Sequence, residues 1–138
     1  MSTEQNKAVV RRFITEVLTG RNTGVADELL APNYVNRLTR MDREGFKAMG
    51  AGLGAAIPDL RFEIENLVAE GDAVVARFTM EGTHTGSLMG ESPSGKRLSA
   101  RGLTYYSLAN GRIVEDDPIT TPDLMQALGI QMPAPAGR

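Results

Sequence analysis

The sequence predicts an α+β fold, in which one curled antiparallel sheet covers a layer of N-terminal helices. Three observations predict it. Apolar residues recur at helical spacing as far as Ile57 and alternate with polar ones from Leu60 onward. Pro58 separates the two regimes. The alternating segments then follow one another through short turn signals. Helices first and strands second is the α+β order. An apolar sheet face that curls over helices leaves a concave interior, the usual place for a small ligand.

The first helix carries Val10, Phe13, Ile14 and Val17 along one stripe, with Ser2 or Thr3 as cap and Gly20 as stop. A short second helix fits Gly24 to Leu30, capped by Asn22 or Thr23 and closed by Ala31-Pro32. Asn33 to Arg37 reads as an extended segment or loop. Asp42 caps a third helix that runs to about Ala56, with Phe46, Met49, Leu53 and Ile57 on one stripe. Gly45, Gly50, Gly52 and Gly54 weaken it. Leu60, Phe62 and Ile64 then alternate as a first strand. Gly71-Asp72 turns the chain, and Val74, Ala76, Phe78 and Met80 alternate as a second. Gly86 to Lys96 is a loop with Pro93-Ser94-Gly95 as its turn. A third strand runs from about Arg97 to Ala109. Asn110-Gly111 makes a two-residue hairpin into a fourth, Arg112 to about Ile119. Pro122 opens a last short helix through Leu128, which Gly129 ends. Residues 1–130 are expected as one domain and 131–138 as a frayed tail.

Composition narrows the chemistry. The chain has 138 residues, one His, no Cys and no Trp. Without Cys there are no disulfides, thiolate metal sites or thiol nucleophiles. One His excludes sites built on two imidazoles, and so most catalytic zinc sites. The formal charge of −2 shows no basic excess for nucleic acid. No apolar run is long enough to span a membrane, and Met1 to Lys7 is too polar for a signal peptide, so the cytoplasm is the expected compartment. Acid–base chemistry or binding by Asp, Glu, Tyr, Arg, Lys, Thr and His84 remains.

A set of short motifs then occurs in a characteristic order. These are Pro58-Asp59-Leu60, Glu70-Gly71-Asp72, Gly82-Thr83-His84-Thr85-Gly86, Gly90, Pro93-Ser94-Gly95-Lys96, Asn110 to Glu115, and Leu128-Gly129. Over about residues 4 to 130 the chain resembles the SnoaL-like polyketide cyclases, within the group that shares the nuclear-transport-factor cone fold. The resemblance implies a cone of curved antiparallel sheet closed by helices, an internal pocket, and a homodimer through the sheet. It implies ring closure by an aldol step without metal or cofactor. Relatives include isomerases, epoxide hydrolases, cofactor-free hydroxylases and proteins without catalysis. Family cyclases place an acid/base Asp before the last helix; that place falls on Thr121 counted from Ile113, or Thr120 counted back from Gly129. Where they carry a His on the preceding strand, this chain offers Thr104, Tyr105 and Tyr106. The standard aldol groups are therefore not carried over.

The candidates each have a functional and a plain reading. His84 shares parity with Met80 and either moves a proton or positions the loop. Glu115, Asp116 and Asp117 form an acidic run, in which Glu115 and Asp117 share one strand face with Ile113 and Ile119. Asp117, nearest the vacant position, is then the candidate acid/base, or else part of a solvated strand end. Tyr34 and Arg37 follow the second helix, in a segment that borders the pocket in the family. They either hold substrate oxygens or pack as helix-end and surface groups. Thr104 and Tyr106 put two hydroxyls on an apolar face and serve substrate binding or core packing. Met41, Met49, Met80, Met89 and Met125 line a pocket or fill the core. The expected catalytic pair is thus Asp117 and His84, with Tyr34, Arg37, Thr104, Tyr106 and Thr121 around an apolar small-molecule substrate. The expected activity is a cofactor-independent cyclisation or isomerisation of a polycyclic, polyketide-like compound. The rivals are a non-catalytic binding protein, or an epoxide hydrolase or hydroxylase relative.

Overall fold

The computed structural model describes residues 2–87, 90 and 92–120. The helix expected from Pro122, Thr121 and the tail lie outside these residues. Ser2 caps α1 (Thr3–Arg12) by accepting from the Gln5 amide, while the Gln5 side chain accepts from the Ser2 amide, a reciprocal capping box. The helix continues as wider π-type turns from Phe13 to Thr19. Val10, Phe13, Ile14 and Val17 are buried there, as their spacing predicts. Asn22 caps α2 (Thr23–Leu29) and Asp42 caps α3 (Arg43–Ala56).

The sheet contains β1 (Leu30–Asn36), β2 (Arg61–Glu70), β3 (Ala73–Thr83), β4 (Arg97–Ala109) and β5 (Arg112–Thr120). The spatial order is β1-β5-β4-β3-β2. Three pairings are antiparallel, but β1 runs parallel to β5. The sheet is therefore mixed and not wholly antiparallel, and the segment after α2 is a strand. Ala31-Pro32 read as a stop signal because Pro lacks an N–H. On an edge strand that loss is tolerated, since one side of the backbone has no partner. Asn110 and Gly111 both have positive φ, 52° and 77°, as the tight hairpin turn requires.

Two irregularities re-aim side chains. In β2 the register slips between Ile64 and Asn66, so the buried parity moves from Leu60 to Leu67. In the β4–β5 pair, Leu108 faces Ile113 but Ser107 faces Glu115, so Val114 is an extra residue. A one-residue bulge turns every following side chain to the opposite face. The inner face of the sheet carries Val74, Ala76, Phe78, Met80, Leu98, Ala100, Tyr106, Leu108 and Ile113, packed against the first helix. Each large apolar side chain removed from water contributes about 1.5–3 kcal/mol. Asn6 ties α1 to the β2–β3 turn by donating to the Gly71 carbonyl at 3.3 Å. None of the described helices is long and apolar enough to cross a membrane.

Candidate functional site

The bulge decides which carboxylate enters the interior. With it, Asp116 stands opposite Tyr106 on the inner face and Asp117 stands opposite Tyr105 on the outer one. Asp117 does not share the face of Ile113, which corrects the parity expected for a regular strand. Asp116 is 6% exposed, Tyr34 2% and Tyr106 1%. The three groups come from neighbouring strands. Tyr34 lies on β1, where Asn36 is the partner of Asp116. Its hydroxyl donates to Asp116 Oδ2 at 3.0 Å. Asp116 Oδ1 has no hydrogen-bond partner among the described residues.

Electrostatics follow from this burial. The Asp116 carboxyl is pushed up to about 7, first by desolvation and then by the charge of Asp117, against the Tyr34 hydroxyl, which favours the charged form. Burial raises both tyrosines above the ordinary phenol range, and the Asp116 charge adds to it. Near neutral pH the carboxyl can therefore exist in either form, while both phenols keep their protons.

The other candidates are distributed differently. Thr104 is buried on the inner face of β4, two residues from Tyr106 and opposite Pro118. Arg37 donates through its backbone N–H to the Asp116 carbonyl at 2.7 Å. Its guanidinium donates to Glu115 at 3.2 Å and is half-exposed. It belongs to a surface ion pair beside the site and does not point at the Asp116 carboxyl.

His84 lies elsewhere. Tyr106 faces Val74 on β3, and His84 is ten residues further along the same chain segment. At about 3.3 Å per residue that is roughly 30 Å of strand. His84 and either acidic residue therefore cannot serve the same atom, which corrects the expected Asp117–His84 pairing. The imidazole is buried, and Nδ1 accepts from the Ser94 amide at 3.3 Å beside the Ser94 hydroxyl at 3.0 Å. Backbone bonds from His84 N–H to Lys96 and from Gly95 N–H to His84 close the same loop. An amide can only donate, so Nδ1 is bare and the neutral ring carries its proton on Nε2. Nε2 has no partner among the described residues. The loop-positioning reading of His84 fits this geometry. Gly86 follows it because its backbone presses on Ala55 and leaves no room for a Cβ.

Sequence reasoning missed Asp116 as an inward group. Counting from the Asn110-Gly111 hairpin puts Glu115 and Asp117 inward, and only the bulge reverses this. The acidic run itself was the usable signal.

The sequence matches the SnoaL-like polyketide cyclase family over residues 8–128. No curated protein sequence matches the chain. Solved structures do. A candidate SnoaL-like polyketide cyclase from Jannaschia sp. CCS1 is 25% identical with a TM-score of 0.81, covering 99% of this chain and 94% of that one. A candidate polyketide cyclase from Acidithiobacillus ferrooxidans is 29% identical with a TM-score of 0.77, covering 94% and 96%. IdmH, a candidate polyketide cyclase from Streptomyces antibioticus, is 27% identical with a TM-score of 0.77, covering 91% and 99%.

Proposed function

The chain belongs to the SnoaL-like polyketide cyclase family, and from that premise we propose that it is a cofactor-independent enzyme of natural-product metabolism. It promotes cyclisation or isomerisation of an apolar, oxygenated, polyketide-like substrate by proton transfer. The observation that carries this reading is the Tyr34–Asp116 pair, a buried carboxyl raised to about 7 on an otherwise apolar face. A carboxylate beside a carbon acid takes a proton onto Oδ1 and leaves an enolate on the substrate. The same oxygen returns the proton after the bond or double bond has moved. The Tyr34 hydroxyl steadies the charged form at Oδ2, and the Tyr106 and Thr104 hydroxyls offer contacts for substrate oxygens. A group poised near working pH does both steps at comparable driving force. The low dielectric of the interior strengthens each of these interactions.

The experiment is to delete the gene in its host, isolate the metabolite that accumulates, and incubate it with the pure protein. Turnover is expected, with Asp116→Asn slower by about 10²–10⁴-fold and Asp117→Asn and His84→Ala near wild type. Wild-type turnover by Asp116→Asn would refute the role of that carboxyl. A second reading is a binding protein of the same fold, favoured by the Thr at both positions, Thr120 and Thr121, on which the acid/base Asp of the family cyclases would fall. In that case the metabolite raises the melting temperature and is recovered unchanged. The active unit in this proposal is a homodimer, supported by Leu103, Tyr105 and Ile119, which are exposed apolar residues on the outer sheet face.

A further inference from the structure

The pair proposed above as reacting is buried, with Tyr34 2% and Asp116 6% exposed, so a ligand gains access to it where its cover opens. Part of its cover is α3. The Phe46 ring packs edge-on against Tyr34 at 5.9 Å and tilted against Phe13 at 5.5 Å. The two ends of α3 are held in different ways. At its C-terminal end Ala56 and Ile57 are fully buried. The Ala56 carbonyl accepts from the Thr85 and Gly86 amides at 3.0 and 2.9 Å. The Arg21 guanidinium donates to the Ile57 and Pro58 carbonyls at 3.1 and 2.7 Å. No residue of α3 before Ala56 is buried. Its N-terminal half is held by the Phe46 ring contacts, by the Arg43 guanidinium donating to the Leu30 carbonyl at 3.4 Å, and by partly exposed ion pairs of Lys47 and Arg43 with Asp27, at 2.9 and 3.7 Å. Such pairs are individually weak and screened by salt.

Two glycines sharpen the contrast. A Cβ on Gly50 or Gly52 would meet nothing within 4 Å, and neither has a positive φ. Neither packing nor backbone geometry requires glycine there, yet each lowers the stability of the helix relative to Ala. The least stable part of a domain is where local opening occurs.

We propose that the N-terminal half of α3, Arg43 to Gly52, is a lid hinged at Ala56–Pro58 and latched to α2 through Asp27, whose opening exposes the Tyr34–Asp116 pair to ligand. The use of the opening rests on the reading of that pair as the reacting site; the opening itself does not.

Hydrogen exchange on the full chain tests the motion. Amides of Arg43 to Gly52 are expected to exchange well before those of β3 and β4, faster at high salt and faster in Lys47→Met. The double variant Gly50→Ala/Gly52→Ala is expected to slow them by about 10-fold. Exchange as slow as that of β3 and β4, or unchanged by the double variant, would overturn the proposal. Access is read separately. The chain has no Trp and three Tyr, so in Tyr105→Phe the tyrosine emission comes from Tyr34 and Tyr106 alone. Acrylamide quenching of that emission is expected to fall when Gly50→Ala/Gly52→Ala is added. Slower exchange with unchanged quenching would mean that α3 frays without uncovering the pair, and the lid role would be wrong. If Asp116→Asn proved fully active, the function reading would fall while both measurements still stood.

Discussion

Replacing Asp116 with Asn tests the burial of the candidate acid/base group without needing a substrate. In the folded chain the carboxyl is pushed up to about 7, mainly by desolvation. Unfolded, it returns to its ordinary value near 3.8. Between these values the folded chain holds a proton that the unfolded chain has released. Stability therefore falls as pH rises from about 4 to about 7, and the loss is complete above that window. A span of about 3 pH units at 1.36 kcal/mol each is about 4 kcal/mol. Asn has nearly the same shape, carries no charge, and its amide oxygen still accepts from Tyr34. The variant is expected to match wild type near pH 4 and to be more stable by about 2–4 kcal/mol near pH 8. Urea unfolding at steps from about pH 4.5 to about pH 8.5 measures the difference, with the slope m unchanged between the two proteins. Asp59, held below its ordinary range mainly by the Thr83 amide, acts oppositely and only as pH falls below about 4, so it does not enter the window. A difference between the two proteins that stays flat from about pH 4 to about pH 8 would refute the account of Asp116.

Three other outcomes are expected. Tyr34→Phe removes the hydroxyl that donates to Asp116, so it lowers stability by about 1–3 kcal/mol above pH 8, where the carboxylate is charged, and by less near pH 5. Urea midpoints at the two pH values measure it. Arg21→Met leaves the Ile57 and Pro58 carbonyls without their guanidinium partner; a loss of about 2–3 kcal/mol, read as a lower melting temperature, is expected. Ile119→Glu puts a charge on the exposed outer face of β5; sedimentation velocity is expected to show more monomer than in wild type, with the inner core and the melting of the monomer little changed.

Much of this architecture is written locally. Ser2, Asn22 and Asp42 mark helix starts because a short side-chain acceptor satisfies amides that the first turn leaves open. The stripe of Val10, Phe13, Ile14 and Val17 and the alternation from Val74 to Met80 are fixed by the periods of helix and strand. The Asn110-Gly111 turn follows from the positive φ that those two residue types tolerate. Such features depend on neighbours within a few residues, so they are readable without the rest of the chain. The buried tyrosines Tyr34 and Tyr106 were legible in part for the same reason.

The candidate acid/base group was not. Asp116 and Asp117 are adjacent, and their local sequence does not say which one faces inward. That choice is made by Val114, which is extra only relative to Ser107 and Leu108 on another strand. A bulge is a property of a pair of strands, and parity counted along one strand cannot contain it. The parallel pairing of β1 to β5, which brings Tyr34 to Asp116 across 82 positions, is likewise set by long-range contact. The sequence by itself determined the three described helices, the four strands from β2 to β5, their order and the family. The tertiary structure alone decided that Asp116, and neither Asp117 nor His84, shares the interior with Tyr34, because burial and register join residues far apart in the chain.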